Sequence, residues 1–214
     1  ASGTMILRVA GRPIAVGIAT GDTAATVAAA TEAQLDARVE ILPITASVAS
    51  AVVTCTHVTT STNGNDVKYR LEQGVPGISL AIAQSAAGTG TVDLSIGLDS
   101  IAGQKFDGIA VANGDSNDVS DLGAHLATTT SATSKRWRRV FLCEPGTIGA
   151  ATTHAASFNH VGAHVLSFEQ TESLPGELAA AACLMFNAAT RPNANFNRHK
   201  LVGYACPVQY TYTE

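Results

Sequence analysis

The chain has 214 residues, enough for one large domain or two modest ones. Only 14% of the residues are charged and the formal net charge is −4, which argues against a general nucleic-acid-binding protein. No apolar segment approaches the ~20 residues of a membrane-spanning helix, and the N-terminus shows no charged leader of a secretion signal.

The sequence of residues 1–87 predicts a small α+β domain. Two strands, 4–9 and 12–18, flank the turn Ala10-Gly11, and a helix follows that Asp22 or Thr23 caps. Further strands are predicted at residues 44–48, 51–56, 67–71 and 78–82.

The sequence of residues 88–214 predicts an α/β domain, because helical and strand patterns alternate along it. Helices are predicted at 93–104, 116–128, 147–158 and 174–190, and strands at 106–113, 139–143 and 163–168. This alternation indicates a mainly parallel sheet flanked by helices, with a strand order that the sequence does not give. The near-continuous apolar run at 106–113 predicts a strand buried on both faces, at the centre of the sheet.

The loop after Val111 is the first candidate for chemistry, because ligands of open parallel sheets bind beyond the carboxyl ends of strands. Its sequence, residues 113–118, reads Asn-Gly-Asp-Ser-Asn-Asp. The side-chain oxygens of this loop could bind a hard cation, or the loop could cap a phosphate. However, the spacing of the residues fits no ion-binding loop, and the same sequence is ordinary for a turn and helix cap. The turn-and-cap interpretation is favoured, and a small-molecule or ion-binding module using this loop is the alternative function.

Other candidate sites have weaker patterns. His154, His160 and His164 form the densest histidine group but lack the Glu of a His-Glu-x-x-His motif, so structural roles are favoured over a metal site. The glycine-containing loops match neither a dinucleotide turn nor a phosphate loop, and no nucleophile elbow is present. We therefore predict no catalytic residue, no metal and no cofactor.

The four cysteines are far apart and form no Cys-x-x-Cys pair. Each lies among apolar residues, so Cys55, Cys143, Cys183 and Cys206 are predicted as small buried hydrophobes in a reducing compartment.

One basic cluster contains an aromatic residue, and it reads Lys135-Arg136-Trp137-Arg138-Arg139. Such a cluster could stack a base and hold phosphate. In an acidic chain, contact with an acidic partner surface or simple solvation is favoured over nucleic acid.

A series of motifs in residues 3–11, 21–30, 42–46 and 64–67 closely resembles the middle region of Mu-like bacteriophage contractile tail sheath proteins. Its most specific part is the helix start Gly21-Asp22-Thr23-Ala24-Ala25. Residues 106–111, Arg136-Trp137 and residues 201–207 resemble the α/β part of the same family. The resemblance covers essentially the whole chain.

The resemblance implies a structural, non-enzymatic protein. Many copies would pack around a tail tube in the virion, after assembly in the host bacterial cytoplasm, and contract to drive the tube through a bacterial envelope. The implied partners are neighbouring sheath subunits and the tube protein, with Lys135, Arg136, Arg138 and Arg139 as the predicted subunit contact. Family members are longer at both ends, so the chain is expected to be a central fragment that is monomeric in isolation.

Overall fold

The computed structural model describes residues 2–59, 61–112, 116–134, 137–158, 160–169 and 171–188. The chain divides into two compact units, Ala1–Thr89 and Gly90–Glu214, where the sequence placed the domain boundary between residues 87 and 88. The first unit combines antiparallel strands with one long helix, and the second has a parallel sheet flanked by helices. The predicted class, α+β followed by α/β, is confirmed.

The first unit is built on an antiparallel sheet in the order β2-β1-β5, formed by β1 (Gly3–Val9), β2 (Arg12–Ile18) and β5 (Tyr69–Gln73). Ala10 and Gly11 join β1 to β2 with φ angles of 50° and 75°, the left-handed pair that a two-residue hairpin turn requires. The register sets Leu7 opposite Ile14, so the buried side chains of the two strands share one face.

Helix α1 (Ala24–Asp36) contacts β2 of this sheet and also both strands of a separate hairpin, β3 (Ile44–Ala49) and β4 (Val52–His57). The predicted cap is Thr23, whose hydroxyl accepts a hydrogen bond from the backbone N–H of Thr26 at 3.2 Å. Thr31 and Leu35 are among the buried residues of the helix. The small residues predicted from the Gly-Asp-Thr-Ala-Ala motif therefore form a helix that packs closely against strands.

The predicted strand at 78–82 is wrong. These residues lie in an irregular segment after the turn at Gly77, and Leu80 and Ile82 are 41% and 47% exposed. Alternation of apolar and polar residues describes a strand with one buried face, but the edge strand β5 pairs only with β1 in the described residues. The segment is instead held at its far end, where Asn65 binds the backbone of Gly88.

The second unit contains a parallel sheet in the order β6-β7-β8. Its strands are β6 (Gly108–Ala110), β7 (Arg139–Glu144) and β8 (Ala163–Ser167), and its helices are α2 (Ser95–Ala102), α3 (Ser116–Thr129), α4 (Ile148–Phe158) and α5 (Pro175–Asn187). Among the described helices the longest, α3, has 14 residues, short of the ~20 that a bilayer-spanning helix needs.

Two hydrophobic clusters cover the two faces of this sheet. On one face Val140 and Leu142 of β7 pack against α2, α3 and α4, with Leu122, Leu126 and Phe158 in the same cluster. On the other face Phe141 and Cys143 of β7 pack against α5. The other buried members of this cluster belong to α5, and they are Leu178, Ala179, Ala182 and Cys183. Burial on both sides explains why β7 reads as a continuous apolar run.

The structure corrects the role expected for the run at 106–113. Within the described residues its strand, β6, has only three residues and lies at the edge of the sheet, while β7 is central. Gly108 and Ala110 have too little side chain to fill the space above a sheet, so α5 approaches the backbone of β6 closely instead.

The cysteines of the described residues are free thiols. Cys143 of β7 and Cys183 of α5 are buried in the same hydrophobic cluster, between the sheet and α5. Cys55 is half-buried on β4. Cys206 lies outside the described residues.

Candidate functional site at the amino edge of the parallel sheet

The loop after Val111, the first candidate from the sequence, lies partly outside the described residues. Residues 113–115 lie outside the described residues, and α3 begins at Ser116. Asp118 is fully buried in the first turn of α3 rather than open to a ligand. Among the residues the structure describes, no group of three or more His, Cys, Asp or Glu side chains could hold a metal ion.

The three candidate histidines lie at separate places. His154 Nδ1 lies 3.0 Å from Glu144 Oε2, at the carboxyl end of β7. His160 precedes β8, and its Nε2 atom lies 3.3 Å from the Thr130 hydroxyl. His164 stacks on Phe141 with ring centroids 5.0 Å apart, and burial, helped by the nearby Arg139 charge, lowers its pKa. The fold therefore does not bring the three rings to one point.

The basic cluster of the sequence leads to a cavity of about 500 Å³ at the amino edge of the sheet. Asp107 precedes β6, Arg139 begins β7 and Gly162 precedes β8, so the cavity lies where the three parallel strands start. Backbone hydrogen bonds hold the strand starts together, because Arg139 N–H donates to Asp107 O at 3.1 Å and Val140 N–H donates to Gly162 O at 2.8 Å. The lining residues are Asp107, Thr130, Trp137, Arg138, Arg139, His160, Val161, Gly162 and Phe186.

Arg138 is a structural residue of this edge. Its side chain is 2% exposed and donates to the backbone carbonyl oxygens of Ile101 and Ala102 at 3.0 and 3.2 Å, and also to that of Gln104. These carbonyls end helix α2, where a cation offsets the negative end of the helix dipole. Arg138, one of the four residues predicted as a subunit contact, therefore has its guanidinium directed inward.

His125 of α3 completes the environment of Arg138. Its Nε2 atom lies in hydrogen-bond contact with the Arg138 guanidinium, which has only donors, so the ring accepts and is neutral. Burial lowers the pKa of His125, and the Arg138 charge lowers it further, against an opposing effect of Asp99. Arg138 thus fastens α2, α3 and β7 together through one guanidinium.

Arg139 faces the other way and remains exposed. Its guanidinium carbon lies 4.0 Å from the ring centroid of Phe186, a close cation–π contact. Phe186 in turn packs on Phe141, with centroids 5.6 Å apart. Arg139 is therefore a positive charge held in place at the cavity wall by an aromatic residue that belongs to the core.

Exposed apolar side chains surround this charge. Trp137 is 71% exposed and Val161 is 92% exposed, although both are side chains that proteins usually bury. Aromatic and arginine side chains are enriched in protein–protein interfaces. A cavity lined by such side chains is suited to binding a protein surface that carries apolar and acidic groups.

The sequence identified part of this cavity. The basic cluster supplied Trp137 and Arg139, while Lys135 and Arg136 lie outside the described residues. Sequence reasoning missed Val161 and Phe186, and it weighed His160 only as a metal ligand or, preferably, a structural histidine. Their elements are far apart in the chain, and only the strand order, with β7 between β6 and β8, brings them to one edge.

Comparison of the chain with protein-family models and with curated proteins found no match.

Proposed function

We propose that this chain is the central part of a contractile tail sheath subunit of a bacteriophage or prophage, a structural protein without catalytic activity. In the virion its partners are neighbouring sheath subunits and the tail tube protein. The sheath packs around the tube and contracts to drive it through the bacterial envelope.

The observation that carries this proposal is the ordered series of motifs in residues 3–67, which resembles the middle region of Mu-like tail sheath proteins. In the structure these motifs have definite tasks. Thr23 caps helix α1, and the Ala10-Gly11 turn joins the first hairpin. Asn65 holds the backbone at Gly88, at the end of the first unit. These tasks are structural, and they support a role as a building block.

The physical demands of contraction also suit the chain. Subunits that rearrange about their interfaces need compact units whose surfaces can separate and bind again. The two units each have their own core, and only 14% of the residues are charged. The cavity at the amino edge of the sheet offers a surface of mixed apolar and cationic character for such a contact.

Electron microscopy tests the proposal. The complete gene product that contains this chain should form rings or tubes when it is expressed with its tube protein, whereas residues 1–214 alone should stay monomeric at ordinary concentrations. A complete product that remains monomeric under assembly conditions would count against a sheath subunit.

A thermal-shift screen addresses the alternative of a ligand-binding module. A ligand that binds only the native state must raise the melting temperature. Nucleotides and divalent ions should leave the melting temperature of a sheath subunit unchanged, and a clear rise with one of them would favour the binding module.

A further inference from the structure

The outer side of β6, which we call the β6 edge, has the features of a site for a further strand. Within the described residues β6 pairs only with β7. Val111 N–H donates to Phe141 O at 3.0 Å, and Asp107 O accepts a bond from the first residue of β7 at 3.1 Å. Alternate residues of a strand direct their backbone polar groups to opposite sides. Gly108 and Ala110 therefore direct theirs to the β6 edge.

Helices flank both faces of the sheet beside the β6 edge. On one face α2 packs against α3, and α3 packs against α4. Since α3 connects β6 to β7 and α4 connects β7 to β8, α2 lies on the side of α3 that is nearer the β6 edge. On the other face α5 approaches β6, because a Cβ atom on Gly108 would come within 2.6 Å of Cys183 Sγ. The β6 edge is therefore a slot between two helices.

The position of α5 determines where a following strand must lie. The strand order advances from β6 to β8 with α3 and α4 on one face of the sheet, whereas α5 lies on the opposite face. Crossovers between parallel strands are right-handed in nearly all proteins. A parallel strand after α5 must therefore lie on the β6 side of β8. The first position in that direction beyond β7 and β6 is the β6 edge.

The course of α5 along the sheet leads to the start of such a strand. Gly176, in the first turn of α5, lies against Ala112, which follows β6. Asn187, the last residue of α5, lies against Gly108, the first residue of β6. The helix therefore runs back along β6 and ends beside its amino end, where a parallel neighbour of β6 would begin.

Leu184 marks the side of α5 that a strand in the slot would cover. It is 70% exposed, although leucine is a residue that proteins usually bury. Cys183 faces β6, whereas Phe186 packs on Phe141 of β7. Because successive helical residues are about 100° apart, Leu184 lies on the flank of α5 opposite Phe186, toward the β6 edge.

The chain after α5 contains a segment suited to this slot. Residues 189–214 lie outside the described residues, and among them is the uncharged run Leu201-Val202-Gly203-Tyr204-Ala205-Cys206, bounded by Lys200 and Pro207. A continuous apolar run of about 4–8 residues is typical of a strand buried on both faces. Residues 189–200 reach from α5 to the adjacent edge, since each extended residue spans about 3.3 Å.

We propose that residues 201–206 form a fourth strand of the parallel sheet, at the β6 edge of the same molecule. This segment is the occupant because a right-handed crossover through α5 leads to the edge, and because its run is apolar where helices flank both faces. Residues 208–212 alternate between apolar and polar, as in a strand with one exposed face, and suit the slot less well. The strand also covers an apolar edge that would otherwise pair with other chains. This inference goes beyond the proposed function and does not depend on it.

Amide hydrogen exchange of the full chain, followed by NMR, tests the proposal. The Ala110 N–H points to the β6 edge and the Ile109 N–H points to β7, so the two amides report on the two sides of one strand. Val202→Asp places a charge beneath a helix in either register, and it should speed exchange at Ala110 at least about tenfold. Exchange at Ile109 should stay slow, which shows that the rest of the sheet remains folded.

Val208→Asp is the matched control, because it makes the same substitution outside the run. It should leave exchange at both amides unchanged. Nuclear Overhauser effects in the wild type provide direct evidence that does not depend on any variant. They should connect backbone protons of residues 201–206 with those of Gly108 or Ala110. In a mixture of isotope-labelled and unlabelled copies, these effects should arise within one molecule.

Three results would overturn the inference. The first is rapid exchange at Ala110 in the wild type, together with no Overhauser effect to residues 201–206. The second is faster exchange at Ala110 with Val208→Asp and not with Val202→Asp, which would assign the β6 edge to residues 208–212. The third is an Overhauser effect between copies in the mixed sample, which would mean that a second molecule supplies the strand. Each result leaves the proposed function standing, because electron microscopy of the complete gene product tests that function separately.

Discussion

Gly108 lies at the closest approach between β6 and α5. A Cβ atom at this position would come within 2.6 Å of the Cys183 sulfur and 3.0 Å of the Asn187 side-chain nitrogen. At such distances the Cys183 side chain or α5 itself must shift, and overpacking of this kind costs about 1–3 kcal/mol. Gly108→Ala should therefore lower the free energy of unfolding by that amount, measured by urea denaturation.

Gly97 provides the matched control for this prediction. It lies within α2, and a Cβ atom there would meet nothing within 4 Å. Gly97→Ala should raise the free energy of unfolding by up to about 1 kcal/mol, the difference in helix propensity. Equal effects of the two substitutions would show that α5 does not pack on β6 as described.

His125 should make the stability of the second unit depend on pH. Burial and Arg138 lower its pKa in the folded protein below the ordinary value of 6.5. The unfolded chain therefore binds a proton first as the pH falls, so the stabilisation is complete above pH 6.5 and is lost progressively below it. His125→Gln keeps an acceptor for Arg138 and removes the titration, so its free energy of unfolding should fall less between pH 7 and pH 5.

His164 gives a second, independent contribution of the same sign, because burial and the Arg139 charge lower its pKa too. The variant His125→Gln with His164→Gln should show a still flatter profile, measured by urea unfolding at pH 7, 6 and 5. An unchanged slope in both variants would mean that neither ring is held neutral in the folded state.

At the scale of elements, one amide side chain holds the end of the first unit. Asn65 Nδ2 donates to Gly88 O at 3.0 Å, and its Oδ1 accepts from Gly88 N–H at 2.9 Å and from Gln84 Nε2 at 3.0 Å. Asn65→Ala removes all three bonds. Amide hydrogen exchange at Gly88 should become at least about tenfold faster, since two backbone partners are lost.

Gln84→Ala is the control for this effect, because it removes the Gln84–Asn65 bond and leaves both bonds to Gly88. Exchange at Gly88 should change little in this variant. If Asn65→Ala also left the exchange rate unchanged, the backbone near residue 88 would be held by contacts other than the amide.

The elements whose ends carry local signals could be predicted from the sequence. Thr23 caps α1 and Pro175 opens α5, and both helices begin close to the predicted positions. The strand at 78–82 was predicted wrongly because alternation reports an amphipathic surface and not the presence of a neighbouring strand. The central position of β7 could not be predicted either, because strand order depends on contacts that no local pattern encodes.

The cavity at the amino edge of the parallel sheet illustrates the same limit for a candidate site. A run of basic residues around Trp137 indicated a contact surface, but nothing in the run distinguishes an inward-facing Arg138 from an outward-facing Arg139. That difference arises because β7 begins there, and neighbouring residues of a strand point to opposite faces of a sheet.

At the scale of the whole molecule, the first unit should fold by itself. Its core is made of its own residues, of which Val9, Ile14 and Val16 are completely buried. A segment of about 90 residues buries enough apolar surface to be stable alone. Residues 1–89 should therefore give a dispersed amide spectrum by NMR and a cooperative thermal transition, and an unfolded spectrum would show that the unit needs the rest of the chain.

Arg138 and Arg139 should separate folding from assembly in the complete protein. Arg138→Ala leaves the carbonyl oxygens at the end of α2 and the buried His125 without their donor, so it should lower the free energy of unfolding by about 3 kcal/mol. Arg139→Ala removes an exposed cation–π contact worth about 1 kcal/mol and should leave the fold intact while it weakens sheath assembly. Urea unfolding measures the first effect, and counting of sheaths by electron microscopy measures the second. If Arg139→Ala formed sheaths as readily as the wild type, the cluster would be a solvated edge of the sheet and not a contact between subunits.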